Sequence, residues 1–361
     1  MKAALVYNPG IRKYDFGEGH PFRGGRFEGF MDFFRSEFRD YFQEIKPDPA
    51  TDEILSLVHS KEYVEVMKSA SEGVFLKNIT EFTSGDNLNP LTGYIPRGID
   101  EGARVSVGTS VLAGELVAAE KFRVAVGVGG GLHHAKRGYG EGFCIYNDVA
   151  VCAENLKQKY NLERILILDT DAHAGNGTSE IFYDDPSILF IDLHQDPRTI
   201  YPGTGGMDEI GSDKGKGFTV NLPLLSGTGD DAYQYLFGEV ISPLAEEFKP
   251  ELIIRYGGSD PYYLDGLTNL GLTLRGFRMI GERVREIAGR VCQGKEVDLL
   301  GSGYNLKILP YAWSALISGL LDLDINLDLP EENPPPKDSG LEYTVDMVER
   351  LKKGLEGYWG F

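Results

Sequence analysis

Cysteine is scarce in this sequence, because only three of the 361 residues are cysteines. No two of them form a CxxC pair, which argues against a structural zinc site and against a disulfide framework. Basic residues are also few, 36 against 55 acidic ones, so the net charge is −19. Since phosphate binding needs clustered Lys and Arg, we expect no nucleic-acid partner. The acidic excess is compatible with a cationic substrate.

Long apolar runs are absent. No run reaches the length needed to span a membrane, so we expect no membrane partner. The first ten residues, MKAALVYNPG, lack the apolar core of a signal peptide. Together with the rarity of cysteine, this makes the reducing cytoplasm the expected compartment.

Short apolar runs rich in β-branched residues alternate with helix-like stretches. The apolar runs are nearly continuous, which is typical of strands in a parallel sheet covered on both faces. We therefore predict a single α/β domain over residues 1–361, with a central, mostly parallel sheet and helices on both faces. The predicted strands are 123–128, 164–168, 188–192, 251–256 and 297–300. The predicted helices are 99–120, 148–160, 231–248 and 275–293.

The C-terminal tail, residues 329–361, differs in composition from the rest. Three consecutive prolines at 334–336 predict an extended segment. Residues 343–355 read as an amphipathic helix with Val345, Val348, Leu351 and Leu355 on one face. We expect this tail to pack back on the domain, with a role in oligomerisation as the alternative.

Glycine-rich loops carrying His, Asp or Tyr follow every predicted strand. Four of the six histidines of the chain lie in these loops. Because ligands bind at the carboxyl ends of parallel strands, we expect the active site at this edge of the sheet.

A metal site is predicted from Asp171 and His173, which are two residues apart just after a strand. Residues at this spacing point to the same side of an extended chain. Asp260 follows another strand and can supply a third ligand. Two carboxylates and one imidazole with an open position are typical of a catalytic site. Zinc is the expected ion and Fe²⁺ also suits these ligands.

Adjacent histidines, His133 and His134, follow three glycines and suit general acid and base work near neutral pH. Each needs a partner for its second ring nitrogen, and Asp169 and Asn176 are the candidates. An amide partner such as Asn176 would leave its histidine less basic than a carboxylate would. Tyr304, after the last strand, could donate a hydrogen bond to a substrate carbonyl.

These motifs together resemble the histone deacetylase superfamily, zinc-dependent deacetylases with the arginase-like α/β fold. The matching segments, in the family's order, are HPFRGGR (20–26), GGGLHHAKRGYGEGFCIYNDVAV (129–151), DTDAHAGNGT (169–178), IDLHQDPRTIYPGTG (191–205), GGSDPYYLDGLTNLGLT (257–273) and GSGYN (301–305). The segment YDFGEGHPF (14–22) is similar to the bacterial and archaeal acetoin-utilisation branch.

The resemblance implies removal of an acetyl group from a lysine side chain, with release of acetate. It implies His134 as the proton donor to the leaving amine and Tyr304 as the residue that polarises the carbonyl. Other implied positions fall into two groups. The acyl-lysine tunnel would be lined by Gly142, Phe143 and Tyr201, with Asp86 at its rim. A structural potassium ion would bind near Asp169, Asp171, His173 and Asp192.

Three positions depart from the pattern of many relatives. Asn176 replaces an Asp of class I enzymes, although class II relatives share the Asn. Ala174 stands where a second His is usual. Asp192 stands where Ser or Thr is common, and its extra carboxylate could strengthen potassium binding or recruit a different ion.

Other functions remain open at the level of sequence. A deacetylase of acetylated polyamines or other small amides would use the same chemistry, although no long insertion narrows the entrance. A binding or regulatory protein without catalysis is less favoured because no ligand, His or Tyr is missing. An arginase-type enzyme with two metal ions would need more acidic ligands than these loops offer.

Overall fold

The computed structural model describes residues 2–324 and 337–361. In these residues eight strands form one parallel sheet in the order β2-β1-β3-β8-β7-β4-β5-β6. The strands are β1 (Ala3–Val6), β2 (Phe42–Ile45), β3 (Val124–Val128), β4 (Ile165–Asp169), β5 (Ile188–Gln195), β6 (Thr219–Leu224), β7 (Leu252–Gly257) and β8 (Glu296–Leu300). The inner strands are buried along nearly their whole length, which explains their continuous apolar sequences. The predicted α/β fold class is confirmed.

Eleven α-helices lie in the described residues. They are α1 (Gly25–Phe38), α2 (Asp52–Leu55), α3 (Lys61–Ser71), α4 (Ile99–Ala118), α5 (Asp148–Tyr160), α6 (Asn176–Ile181), α7 (Asp230–Leu236), α8 (Ser242–Phe248), α9 (Leu274–Val291), α10 (Leu309–Leu320) and α11 (Leu341–Gly354). None of them combines the length and apolar character of a membrane span.

The helix predicted over 231–248 is interrupted. A π-helical segment, Phe237–Ile241, separates α7 from α8. Pro243 stands in the first turn of α8. Proline lacks an N–H, and in a regular α-helix its ring would collide with the carbonyl four residues earlier. The wider π-helical turn before Pro243 avoids this collision.

Two compact units divide the chain. The first contains Met1–Leu162, Gly175–Ile181 and Val297–Gly301, and the second contains Glu163–Ala174, Phe182–Glu296 and Ser302–Phe361. In the first unit the helices α4 and α5 pack on each other, and α4 also packs on β1 and β3. In the second unit a single apolar core joins strands β4 to β7 with α7 to α11. The prediction of one domain over residues 1–361 stays a prediction.

The helix predicted in the tail is present as α11. Val348, Leu351 and Leu355 are buried in the core of the second unit, together with Met347, whereas Val345 is only half-buried. This buried stripe holds the end of the chain on its unit. The extended segment predicted at 334–336 lies outside the described residues.

Candidate active site

A possible metal-binding cluster lies in the second unit. Asp171 and His173 follow β4, and Asp260 follows the neighbouring strand β7. One ligand atom from each of the three lies within 4.8 Å of the others. Nδ1 of His173 is 3.2 Å from Oδ1 of Asp171 and 3.2 Å from Oδ2 of Asp260. The structure thus brings together the three residues predicted as metal ligands.

The loop after β4 is shaped by its own acidic side chains. Oδ1 of Asp169 accepts the N–H of Asp171, and Oδ1 of Asp171 accepts the N–H of His173, each at 2.9 Å. The hydroxyl of Tyr256 donates to the other oxygen of Asp169. These bonds turn the backbone so that the side chains of Asp171 and His173 converge.

Ser302 braces the two carboxylates. Its hydroxyl donates to Asp171 and lies 3.1 Å from Oδ1 of Asp260. A Cβ at Gly258 would stand 2.0 Å from the Ser302 hydroxyl oxygen, so the close approach of these two loops requires glycine. Sequence reasoning missed Ser302, although its place in GSGYN after β8 was a signal.

Electrostatics at this cluster favour a cation. Burial alone would lower the pKa of His173, but its hydrogen bonds to Asp171 and Asp260 and their negative charges raise it to about 10. Burial, together with the charge of Asp171, raises the pKa of Asp260. Both shifts show excess negative charge in a buried place, which a proton or a divalent cation would neutralise. The donor set therefore fits a metal ion such as zinc.

The tandem histidines lie in the first unit, where both are buried. They follow a turn in which Gly129 and Gly131 have φ of +107° and +93°, which a residue with a side chain rarely adopts. Nε2 of His133 and Nε2 of His134 are 3.1 Å apart, so one proton lies between the two imidazoles.

The hydrogen bonds of Asn176 define the tautomer of His134. Nδ2 of Asn176 donates to Oε1 of Glu141 at 2.8 Å, which directs Oδ1 of Asn176 toward His134. That oxygen lies 2.7 Å from Nδ1 of His134, so Nδ1 carries the proton and Nε2 of the neutral ring accepts. It follows that His133 donates in the contact between the two Nε2 atoms.

Two residues that sequence reasoning missed hold this turn in place. The buried carboxylate of Asp148 accepts the N–H of Leu132 at 2.7 Å and the N–H of Gly131. The Nδ2 amide of Asn147 donates to the carbonyl of His133 at 3.2 Å. The only sequence signal was an Asn-Asp pair at the start of a predicted helix, where Asn147 caps α5.

Tyr304 lies in the second unit, in the loop after β8. Its ring is edge-on to that of His173, with 6.5 Å between centroids. The carboxylate of Asp265 accepts the N–H of Tyr304 at 2.7 Å and the N–H of Asn305 at 3.1 Å. Asp265 therefore fixes the backbone from which the tyrosine extends.

Two of the predicted tunnel residues of the first unit, Gly142 and Asp86, are in contact. The N–H of Gly142 donates to Oδ2 of Asp86 at 3.0 Å, and Gly142 packs against the ring of His134. The rings of Phe143 and His20 are edge-on to each other, with 4.5 Å between their centroids. Tyr201, in the second unit, is 39% exposed.

The predicted potassium ligands include two buried carboxylates in adjacent strands. Asp169 and Asp192 are opposite each other in the register of β4 and β5. Ala174, which takes the place of a second His, is buried beside Gly205.

Known proteins resemble this chain over nearly its whole length. A family model described as "Histone deacetylase domain" matches residues 20–320. The chain is 33% identical to "Acetoin utilization protein AcuC" of Bacillus subtilis (strain 168), over 91% of this chain and 85% of that protein. The AcuC of Staphylococcus aureus (strain MSSA476) is 35% identical, over 90% of this chain and 83% of that protein. The solved HD domain of HDA15 has a TM-score of 0.84 and 26% identity, and covers 99% of this chain and 97% of that one.

Proposed function

The chain belongs to the histone deacetylase family as an AcuC-like deacetylase, and we propose that it is metal-dependent and removes acetyl groups from lysine side chains. The observation that carries this proposal is the convergence of Asp171, His173 and Asp260 within 4.8 Å. We propose that these three hold a zinc or ferrous ion. Bound there, the ion would supply Lewis-acid activation of water and of the amide carbonyl.

The tandem histidines move protons in the proposed reaction. Because His134 holds a proton on Nδ1 against Asn176, its Nε2 is the basic nitrogen of the pair and takes the proton lost by the attacking water, while the N–H of His133 donates to the pair. The C–N bond then breaks, and His134 delivers a proton to the leaving nitrogen. The products are acetate and the free lysine amine.

The hydroxyl of Tyr304 donates to the carbonyl oxygen as negative charge develops on it. Asp265 contributes by holding the backbone of this residue in place. We propose that Gly142, Phe143 and Tyr201 line the tunnel that holds the acyl-lysine side chain. Asp86 lies at the rim of this tunnel.

A potassium ion near Asp169 and Asp192 is also proposed. Two buried carboxylates in adjacent strands repel each other unless a cation or a proton lies between them. The ion would stabilise the loop that presents Asp171 and His173.

Acetate release by the purified protein tests the reaction. We expect turnover of an acetyl-lysine peptide that a chelator abolishes and that zinc or Fe²⁺ restores. An acetylpolyamine is measured in parallel. If it is turned over faster than the peptide, the substrate is a small amide and the assignment to acetyl-lysine is wrong.

Tyr304→Phe removes only the hydroxyl group, so it tests the role of that group. We expect kcat to fall about 100-fold or more, as for loss of an oxyanion donor, with unchanged metal content. The matched control is Tyr41→Phe, since Tyr41 is an exposed tyrosine of the first unit. Near-full activity of Tyr304→Phe would contradict the assigned role.

A further inference from the structure

A second concave surface lies in the first unit, between segments 70–79 and 89–97. We name it the 70–97 cleft; its volume is about 590 Å³, enough for several side chains. Phe75 and Tyr94, one from each wall, are 65% and 57% exposed and meet edge-to-face at 5.9 Å. Clustered exposed apolar residues are typical of a binding surface, whereas isolated ones are not.

The cleft has a net positive charge, because two of its three charged lining residues are basic. The charged lining residues are Asp15, Lys77 and Arg97. Asp15 is engaged, because its carboxylate pairs with Arg23 at 2.9 Å. Lys77 and Arg97 are exposed, and in the described part of the chain neither side chain has a hydrogen bond or an ion pair. Arg97 extends over Gly73, where a Cβ would stand 2.7 Å from its guanidinium. The chain as a whole has a net charge of −19, so two unpaired basic side chains in one cleft are unusual. Lys77 and Arg97, together with the apolar walls, are complementary to a ligand that is both anionic and apolar.

The cleft is close to the predicted tunnel wall. Asn89, which lines it, donates from Nδ2 to the carbonyl of Phe16 at 3.0 Å, and the ring of Phe16 is 6.2 Å from that of Phe143. Asp15 and Gly17, the neighbours of Phe16, also line the cleft. An extended polypeptide advances about 3.3 Å per residue, so a spacer of three to six residues would span about 10–20 Å.

We propose that the 70–97 cleft binds a segment of a polypeptide substrate in which an apolar residue stands beside acidic residues, a few positions from the acyl-lysine. This inference rests on the proposed function and selects a polypeptide over a polyamine, because Lys77 and Arg97 would repel a polycation. An anionic membrane surface is less favoured, since the site is concave and the chain strongly negative.

Two peptides with one central acetyl-lysine test the inference. One carries a Phe flanked by two Glu at three to six residues from the acetyl-lysine, and the other carries Ser and Lys there. The intact protein and a Lys77→Glu/Arg97→Glu variant are compared by kcat/KM on both peptides and on free Nε-acetyl-lysine. The matched control is Lys46→Glu/Lys121→Glu, which reverses two exposed lysines outside the cleft. Binding of the fluorescently labelled acidic peptide, without its acetyl group, is measured separately by anisotropy.

We expect the cleft variant to lose about tenfold in kcat/KM on the acidic peptide, as two exposed ion pairs allow, and less than twofold on the other two substrates. Its anisotropy signal should weaken in parallel, whereas the control pair should leave both measurements unchanged. Equal losses on all substrates, or losses matched by the control, would overturn the proposal. Binding to phosphatidylserine vesicles that is lost in the variant, without any effect on the peptide, would assign the cleft to a membrane and also overturn it. If no substrate is turned over, the proposed function fails while anisotropy still decides the cleft.

Discussion

Substitution of Gly142 by Ala is a direct test of how tightly the His134 ring is held. Gly142 has φ of +60°, and a Cβ there would stand 2.3 Å from Cδ2 and 2.5 Å from Cγ of His134. Carbon atoms in contact are normally about 3.5 Å apart, so the ring must move by about 1 Å. Such a shift breaks either the 2.7 Å contact with Asn176 or the 3.1 Å contact with His133. Adopting a positive φ adds about 1 kcal/mol of strain.

A displacement of about 1 Å at a catalytic group costs about 100-fold in rate, so we expect kcat/KM of Gly142→Ala to fall by that factor. Acetate release on an acetyl-lysine peptide measures this, with metal content and Tm measured alongside. The control is Gly29→Ala in α1, where a Cβ meets open space, and which should keep full activity. If Gly142→Ala retains activity within threefold of the unsubstituted protein, the reasoning from the ring position is refuted.

Further predictions concern the metal cluster and Tyr304. Asp260→Ala should lose stoichiometric metal, as measured by elemental analysis; a variant that still held one ion per chain would remove Asp260 from the ligand set. Metal affinity should fall at least tenfold for each pH unit from 8 to 6, because His173, with its pKa raised to about 10, must release a proton when the ion binds, and Asp260, with its pKa raised to about 7, must release another toward the lower end of this range. Calorimetric titration of the metal-free protein measures this slope, and a pH-independent affinity would count against it. Asp265→Asn should lower kcat about tenfold without loss of metal, since it weakens the bonds that hold the backbone of Tyr304; unchanged kcat would show that those bonds do not position the tyrosine.

The sequence predicted β3, β4, β5, β7 and β8 and missed β1 and the two edge strands, β2 and β6; the edge strands were missed for a physical reason. Strands covered on both faces read as continuous apolar runs, as β4 and β7 do. At one edge of the sheet, β2 exposes its middle residues and therefore resembles a loop. At the other edge, β6 contains Pro223, which usually argues against a strand but is tolerated at an edge. Helix α10 was missed because it is apolar nearly all round and has no amphipathic period.

The candidate site could be predicted as far as side-chain chemistry marks it. Asp171, His173 and Asp260 have the residue types and strand-end positions of metal ligands, and the structure gathers them. Asp148 and Glu141 could not be found in this way. They act through the backbone of the histidine turn and through the amide of Asn176, contacts that depend on the folded chain.

The hydrogen bonds of Asn176 have an evolutionary consequence. Glu141, which pairs with Lys136, accepts from the amide nitrogen of Asn176, while the amide oxygen faces His134. An Asp at position 176 would set two carboxylates against each other at hydrogen-bond distance. Positions 141 and 176 should therefore change together during descent, an acid at one being inherited with an amide at the other. In a lineage where residue 176 becomes Asp, the acidic residue at position 141 should already have been replaced.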